Sequence, residues 1–280
     1  MNRLIQSQVE NNTGSSDAWS AFATHRQRMS ELIAGQAAAG DASRLCILGA
    51  GNCNDIDLPH LLGSYREIHL VDLDAAALEA GVARQGLAGN GALRLYGGVD
   101  LTGQIEAMEA WSSQDEQAAI DVEEVVSRPV AHVAGLLPGP FDVVVSACVL
   151  SQLIEAVVAS IGAEHPRFLE CLQAVRLGHL RLLSALTAPG GTAVLVTDIV
   201  SSDTLPELAT VSDAQLPPLL VEAVHAQNFF HGVNPAIVAM LFRSDPVLSD
   251  ELSPPALLTP WRWDLGPRIY AVWGLVTRKR

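Results

Sequence analysis

Positive charge is scarce in this sequence. Its 280 residues include 17 Lys and Arg against 31 Asp and Glu, which gives a formal net charge of −14 and a sequence pI near 4.8. Proteins that bind nucleic-acid backbones present a basic surface to the phosphates. We therefore expect no nucleic acid as the main partner, whereas a small ligand bound by local side chains is compatible with this charge.

Disulfide signatures and long apolar runs are also missing. The four cysteines, Cys46, Cys53, Cys148 and Cys171, form no C-x-x-C pair, so we expect reduced thiols, with neither a disulfide framework nor a zinc site. No run approaches the roughly 20 apolar residues that a membrane span needs. The first residues include no long apolar segment of the secretory type. These absences predict a cytoplasmic protein with no membrane partner and no metal.

The chain does contain a regular alternation of strand-like and helix-like segments, and 49% of its residues are apolar, enough for a sizeable core. We predict strands at 44–48, 67–72, 92–97, 141–150, 192–200, 258–264 and 268–278. We predict helices at about 17–40, 54–62, 74–86, 151–160 and 166–187. This order predicts an α/β fold: an open, mostly parallel seven-stranded sheet with helices on both faces and a C-terminal antiparallel hairpin.

Two regions depart from this alternation. Residues 1–16 contain the breaker NNTGSS and are predicted to form a frayed polar start. We divide the chain into an N-terminal helical cap at 1–40 and a main domain at 41–280, with helical insertions at about 102–140 and 201–255. The acidic residues of the first insertion fit either a solvated surface or a binding site for a cationic partner.

The segment RLCILGAGNCNDIDLPHLLGSYREIHLVDLD, residues 44–74, carries the strongest functional signal. An apolar strand leads into the turn Gly49-Ala50-Gly51, and a second apolar strand ends at Asp72. Glycine allows backbone conformations and close ligand approach that a Cβ would block. A tight turn and a carboxylate at neighbouring strand ends predict a site that holds a nucleoside by its ribose.

This succession resembles the class I S-adenosylmethionine-dependent methyltransferases over about residues 40–278. In that family a glycine turn after the first strand packs against the methionine part of the cofactor, and an acidic residue ending the second strand bonds the ribose hydroxyls. An acidic residue after the third strand commonly meets the adenine amine, and the end of the fourth strand, here Ser146–Val149, lies near the transferred methyl. The resemblance implies cofactor binding by Gly49, Ala50, Gly51, Asn52, Asp72, Leu73, Asp100, Leu101, Ala147, Cys148 and Ser151.

The resemblance also implies a Rossmann-like main domain, S-adenosylmethionine as cofactor, S-adenosylhomocysteine as product and a small-molecule methyl acceptor as partner. The chain departs from the family pattern at Ile47, where an acidic residue is common, and at Cys53, where the third glycine is expected. Asn52, Asn54 and Asp55 are the candidates to replace the missing contact with the amino group of the cofactor.

On the acceptor side the candidates for catalysis are His225, His231 and Asn228, which lie in or beside a cluster of polar and aromatic residues. Asp198, at the end of the fifth strand, is a further candidate base, although capping of the following segment also explains a polar residue there.

Several aromatic and basic residues have both a structural and a functional explanation. In the first predicted helix, Trp19, His25 and Arg26 either pack onto the domain or belong to a helix that closes over the cofactor. Trp263 and Tyr270 are most simply explained by packing of the C-terminal hairpin.

Two other functions stay open from the sequence. A nicotinamide-dependent oxidoreductase also uses a glycine turn and an acidic strand end, although the usual third glycine is missing and the terminal hairpin does not favour it. A non-catalytic methyltransferase-like domain that binds nucleosides or a protein partner fits the two departures from the pattern. The oligomeric state is not predicted.

Overall fold

The computed structural model describes residues 2–38, 43–111 and 120–280, and within these ranges the chain forms one eight-stranded sheet. The strands are β1 (Arg44–Leu48), β2 (Glu67–Asp72), β3 (Leu93–Gly97), β4 (Phe141–Ala147), β5 (Thr187–Ser201), β6 (Ala256–Leu257), β7 (Trp261–Asp264) and β8 (Ile269–Arg278). The helices are α1 (Arg3–Ser15), α2 (Ala23–Ala34), α3 (Leu58–Leu62), α4 (Ala75–Arg84), α5 (Ile105–Ala110), α6 (Val122–Val133), α7 (Leu150–Ile161), α8 (Phe168–Leu186), α9 (Leu216–His225), α10 (Pro235–Ser244) and α11 (Pro246–Glu251).

The strand order is β3-β2-β1-β4-β5-β8-β6, and β7 also pairs with β8. Strands β1 to β5 run parallel, whereas β8 runs antiparallel to β5 and to both β6 and β7. The predicted open, mostly parallel sheet with an antiparallel C-terminus is confirmed. The order reverses between β1 and β4, and ligands in such sheets bind beyond the carboxyl ends of the strands at this switch point.

The central strands form because both of their faces are covered by helices. Along β1, Leu45 and Ile47 pack on one face of the sheet with apolar residues of α2, α3 and α4. Cys46 and Leu48 pack on the other face with residues of α5 to α8. All four side chains are fully buried. A continuous apolar run is the pattern expected of such a strand.

The sheet has eight strands instead of the predicted seven because the first strand of the C-terminal hairpin is interrupted. Both β6 and β7 pair with β8, and Pro260 lies between them. Proline has no N–H to donate to a neighbouring strand, so it falls where pairing is broken.

The predicted frayed polar start at 1–16 is instead ordered as helix α1, at Arg3–Ser15. Its N-terminus is capped by Asn2, whose side chain accepts hydrogen bonds from the backbone N–H groups of Leu4 and Ile5. Of this helix only Leu4 is buried, so polar contacts to the main domain hold most of it in place. The second helix is shorter than predicted, and the predicted end near residue 40 and the boundary at 40/41 lie outside the described residues.

The predicted insertion at about 102–140 contains α5 and α6, and its residues 112–119 lie outside the described part of the chain. Helix α6 packs against α8 on one face of the sheet. In the described ranges, no helix is long and apolar enough to cross a membrane.

Candidate functional site

A cavity of about 570 Å³ opens beyond the carboxyl ends of β1, β2, β4 and β5. This is the switch point of the sheet, where binding sites of open α/β folds are found. Its lining divides into the loops that follow β1, β2 and β4, the inner face of α1, and an aromatic wall. The residues named from the sequence that line it are Gly49, Ala50, Gly51, Asn52, Asp55, Asp72, Ala147, Cys148, Ser151, Asp198, His231, Trp263 and Tyr270.

The turn after β1 has a backbone that only glycine adopts easily. Gly49 has a φ of +76° and Gly51 a φ of +48°. A Cβ on Gly49 would lie 2.5 Å from the Cβ of Val149, so the turn packs directly against the Val149 side chain that follows β4. The N–H groups of Gly49 and Ala50 both donate to the carbonyl of Val71, which ties the turn to β2. Glycine at position 49 is therefore required for this close packing.

Asp72, at the end of β2, lines the cavity beside the glycine turn. One carboxylate oxygen accepts a hydrogen bond from the Gly51 N–H at 2.8 Å, and the other accepts from the Asp74 N–H at 2.9 Å. Burial raises the pKa of Asp72, and these two N–H donors partly offset that rise. Asp72 lines the cavity, and a carboxylate in such a position can bind a vicinal diol by charge-assisted hydrogen bonds.

Beside Asp72, a small cavity of about 40 Å³ is lined by Leu73, Asp100 and Leu101, among others. The carboxylate of Asp100 accepts from the backbone N–H groups of Thr102 and Ile105, at 2.8 and 2.7 Å. The structure thus shows the turn-stabilising role of Asp100, and its contact with an adenine amine stays a prediction.

The end of β4 forms the back of the main cavity. Cys148 has a positive φ of 50°, and burial raises the pKa of its thiol well above the ordinary value. A neutral, buried thiol is a poor nucleophile, so Cys148 contributes shape instead of covalent chemistry. The hydroxyl of Ser151 donates to Asp198 at 2.5 Å, which brings the ends of β4 and β5 together at the cavity wall.

The residues after the glycine turn connect it to α1. The side-chain amide of Asn52 donates to the Asn12 carbonyl and to the Ser15 hydroxyl, each at 3.1 Å. The side-chain amide of Asn54 donates to the Ser15 carbonyl at 2.7 Å. Cys53 has a φ of +55°, so the backbone here takes a conformation suited to glycine although the residue is cysteine. Cys53 therefore replaces the expected glycine in side chain only, because the backbone keeps the conformation of the turn.

Comparison with protein-family models and with curated proteins gives no match for this chain. Among solved structures it is similar to a 1,6-didemethyltoxoflavin-N1-methyltransferase from Burkholderia thailandensis, with 14% identity, a TM-score of 0.49 and coverage of 99% of this chain and 87% of that one. It is also similar to the N-methyltransferase NodS from Bradyrhizobium japonicum WM9, with 12% identity, a TM-score of 0.45 and coverage of 91% of this chain and 86% of that one. A third similar structure is magnesium protoporphyrin IX methyltransferase from Synechocystis PCC 6803, with 13% identity, a TM-score of 0.46 and coverage of 91% of this chain and 83% of that one.

The fold is Rossmann-like. The strand order and the antiparallel β8 beside β5 carry this assignment, and they confirm the predicted fold class.

The three predicted acceptor-side residues are separated in the structure. His231 lies at the cavity mouth, with its ring edge-on to Phe168 at 5.2 Å. His225 ends α9 and is exposed, and the cavity lining does not include it. The side-chain amide of Asn228 donates to the Thr204 carbonyl at 2.7 Å and lies outside the lining as well.

Trp19, His25 and Arg26 lie behind the cavity wall. The Arg26 guanidinium stacks 3.5 Å from the Trp19 ring and donates to the Asn54 carbonyl. His25 is buried, stacks on Trp263 and accepts a hydrogen bond from the Trp261 indole N–H at 3.0 Å through Nδ1. These three residues support the wall and do not line the cavity.

The sequence interpretation missed two groups that line the cavity. One is the inner face of α1, with Gln8, Asn11, Asn12 and Ser15. The other is the aromatic pair Trp263 and Tyr270, which was assigned to hairpin packing. Their placement depends on how α1 and the C-terminal strands meet the main domain, so no local pattern reveals it.

Proposed function

We propose that the chain is an S-adenosylmethionine-dependent methyltransferase that acts on a small-molecule acceptor. The observation that carries this proposal is the convergence of the glycine turn, the Asp72 carboxylate and the end of β4 on one cavity of the Rossmann-like sheet. Its volume lies within the roughly 300–1,000 Å³ typical of small-molecule sites.

The residues present fit this cofactor. Gly49 and Gly51 have positive φ and leave no room for a Cβ beside Val149 and Asn12, so the tight turn that lines the cavity requires glycine. The Asp72 carboxylate, which lines the same cavity, suits the two ribose hydroxyls. Asp55 faces the same cavity and is the acidic residue in place to contact a cationic amino group.

When bound, S-adenosylmethionine supplies an electrophilic methyl group on a sulfonium. Because the donor is already activated, the protein mainly provides alignment, exclusion of water and a proton acceptor. Ala147 and Cys148 shape the wall of the cavity, and α1 covers the glycine turn. Asp198, held by the Ser151 hydroxyl, is the residue of this chain best placed to take a proton from an acceptor.

Calorimetric titration with S-adenosylhomocysteine and, in parallel, with NAD tests the proposal. We expect S-adenosylhomocysteine to bind and NAD not to bind, with Asp72→Ala abolishing the S-adenosylhomocysteine signal. Binding of NAD alone would favour the oxidoreductase alternative. Absence of S-adenosylhomocysteine binding at millimolar concentration would sink the proposal.

A further inference from the structure

Two carboxylates line the cavity without a Lys or Arg in direct ion-pair contact: Asp198, which is buried, and Asp55, which is partly buried. Asp198 is 9% exposed, and its side-chain partner is the neutral hydroxyl of Ser151. Asp55 has one carboxylate oxygen that is shielded from solvent and has no hydrogen-bond partner. In the described ranges, no Lys or Arg lies within ion-pair distance of either carboxylate. Burying carboxylates in this way is costly unless a cation joins them.

The nearest candidate cation on the protein is neutral. His25 Nε2 lies 3.5 Å from Asp55, but its Nδ1 accepts the Trp261 indole N–H. Burial lowers the pKa of His25 to about 3, with a further lowering by the charge of Arg26. Burial raises the pKa of Asp55 and the charge of Arg26 offsets part of that rise, but the Arg26 guanidinium donates to the backbone carbonyls of Trp19 and Asn54 and forms no ion pair with Asp55.

Aromatic rings form another part of the cavity lining. The rings of Trp263 and Tyr270 lie 5.4 Å apart at 36°, and Tyr270 is 6.2 Å from Phe230. The Phe22 ring meets Trp263 edge-on at 5.0 Å. All four of these residues line the cavity. An organic cation is attracted electrostatically to the faces of such rings.

The other charged residues that line the cavity do not cancel the negative charge of the two carboxylates. Among the described lining residues Arg268 is the only Lys or Arg. Its guanidinium pairs with Asp203 and donates to the Tyr270 hydroxyl, so its charge is balanced away from the carboxylates. Glu155 adds a further negative charge at the exposed rim.

The carboxylate of Asp198 also lies away from the predicted adenosine side. In the sheet, β2 with Asp72 and β5 with Asp198 are separated by β1 and β4. Three strand spacings amount to roughly 14 Å. Asp198 and the aromatic wall therefore belong to the half of the cavity left for the acceptor.

We propose that the acceptor is an organic amine, bound as its ammonium form between the carboxylate of Asp198 and the aromatic rings of Trp263 and Tyr270. This inference rests on the proposed function, because it assigns the acceptor half of the same cavity. Asp198 has a second task there: it takes the proton that an ammonium nitrogen must lose before the nitrogen has a free electron pair.

The test uses three probes of the same shape and different charge: phenethylamine, 2-phenylethanol and phenylacetate. Each is titrated into the protein saturated with S-adenosylhomocysteine, with binding followed by calorimetry or ligand-observed NMR. We expect the ammonium probe to bind at least about tenfold more tightly than the alcohol, because a charge-assisted hydrogen bond and a cation–π contact each favour it. The carboxylate probe should bind most weakly. No variant is needed for this comparison, so a folding defect cannot obscure it.

Two variants locate the effect. Asp198→Asn should reduce the preference for ammonium over alcohol to within about twofold, and Trp263→Leu should weaken the ammonium probe several-fold. Asp250→Asn removes the same charge from an exposed position on α11 and should leave the preference unchanged.

Three outcomes would overturn the inference. The first is alcohol or carboxylate binding as tight as ammonium binding in the unmodified protein. The second is no binding of any probe at millimolar concentration. The third is an Asp198→Asn variant that weakens S-adenosylhomocysteine tenfold and keeps the probe preference, since the carboxylate would then serve the amino group of the cofactor. Failure of S-adenosylhomocysteine to bind the unmodified protein would instead refute the proposed function.

Discussion

Substitution of Gly49 by alanine tests the close approach on which the glycine turn depends. The new Cβ would lie 2.5 Å from the Val149 Cβ, at a φ of +76°. The backbone conformation costs an L-residue about 1–2 kcal/mol, and forcing extra volume into a packed site costs about 1–3 kcal/mol more. We therefore expect Gly49→Ala to lower the free energy of unfolding by about 2–5 kcal/mol.

Gly86→Ala is the matched control. Gly86 has nearly the same φ, +73°, but no heavy atom lies within 4 Å of where its Cβ would be. This variant should lose only the backbone contribution of about 1–2 kcal/mol. The difference between the two variants isolates the contact between the turn and the end of β4.

Urea unfolding followed by circular dichroism measures both losses, and calorimetry with S-adenosylhomocysteine measures the site. At about 2–4 °C per kcal/mol for a chain of this size, Gly49→Ala should melt about 4–20 °C lower. Because the turn must move to make room for the alanine side chain, Gly49→Ala should bind S-adenosylhomocysteine at least about tenfold more weakly. Gly86→Ala should bind it normally. Equal destabilisation of the two variants, or unchanged binding by Gly49→Ala, would refute the reasoning.

Three further changes have defined outcomes. Asp72→Asn should weaken S-adenosylhomocysteine about 30-fold or more in calorimetry, since it removes charge-assisted hydrogen bonds worth about 1.5–3 kcal/mol each. Asp55→Asn should change the pH dependence of stability: burial raises the pKa of Asp55 to about 7 in the folded state, so its ionisation removes stability as the pH rises from about 4 to about 7. Relative to the unmodified protein, the variant should gain up to about 4 kcal/mol across that range in urea unfolding. Asn52→Ala should speed amide hydrogen exchange throughout α1, because it deletes two hydrogen bonds to that helix.

The controls for these changes differ. Asp74→Asn removes a neighbouring charge but keeps a good helix cap for α4, and it should bind S-adenosylhomocysteine within about threefold of the unmodified protein. An Asp72→Asn variant as mild as this control would contradict the ribose assignment. A stability difference for Asp55→Asn that is independent of pH would show that Asp55 ionises normally, and unchanged exchange in α1 would show that Asn52 does not hold it.

The parts of the fold that follow local patterns could be predicted from the sequence. The apolar run of β1 and the strand end at Asp72 are local signals, and their order along the chain is enough to place the glycine turn beside the carboxylate. All predicted cofactor positions line one of the two adjoining cavities. Long-range packing decides the rest.

Helix α1 shows why. Its sequence has no apolar stripe, and it forms because Asn2 caps it and because Asn52 and Asn54, about 40 residues away, bind its last turn. The position of the Trp263 ring is likewise set by contacts with His25 of α2 and with Phe22, the residue that caps α2. Neither partner can be identified from the local sequence.

The hydrogen bonds between α1 and the loop after the glycine turn make two distant segments dependent on each other. A ligand on the turn and an ordered α1 stabilise the same arrangement, so each increases the population of the other by the same factor. In related sequences this dependence should appear as covariation between positions 52 and 15, whose side chains bond each other, whereas position 12, bonded through its backbone carbonyl, is free to vary independently of Asn52.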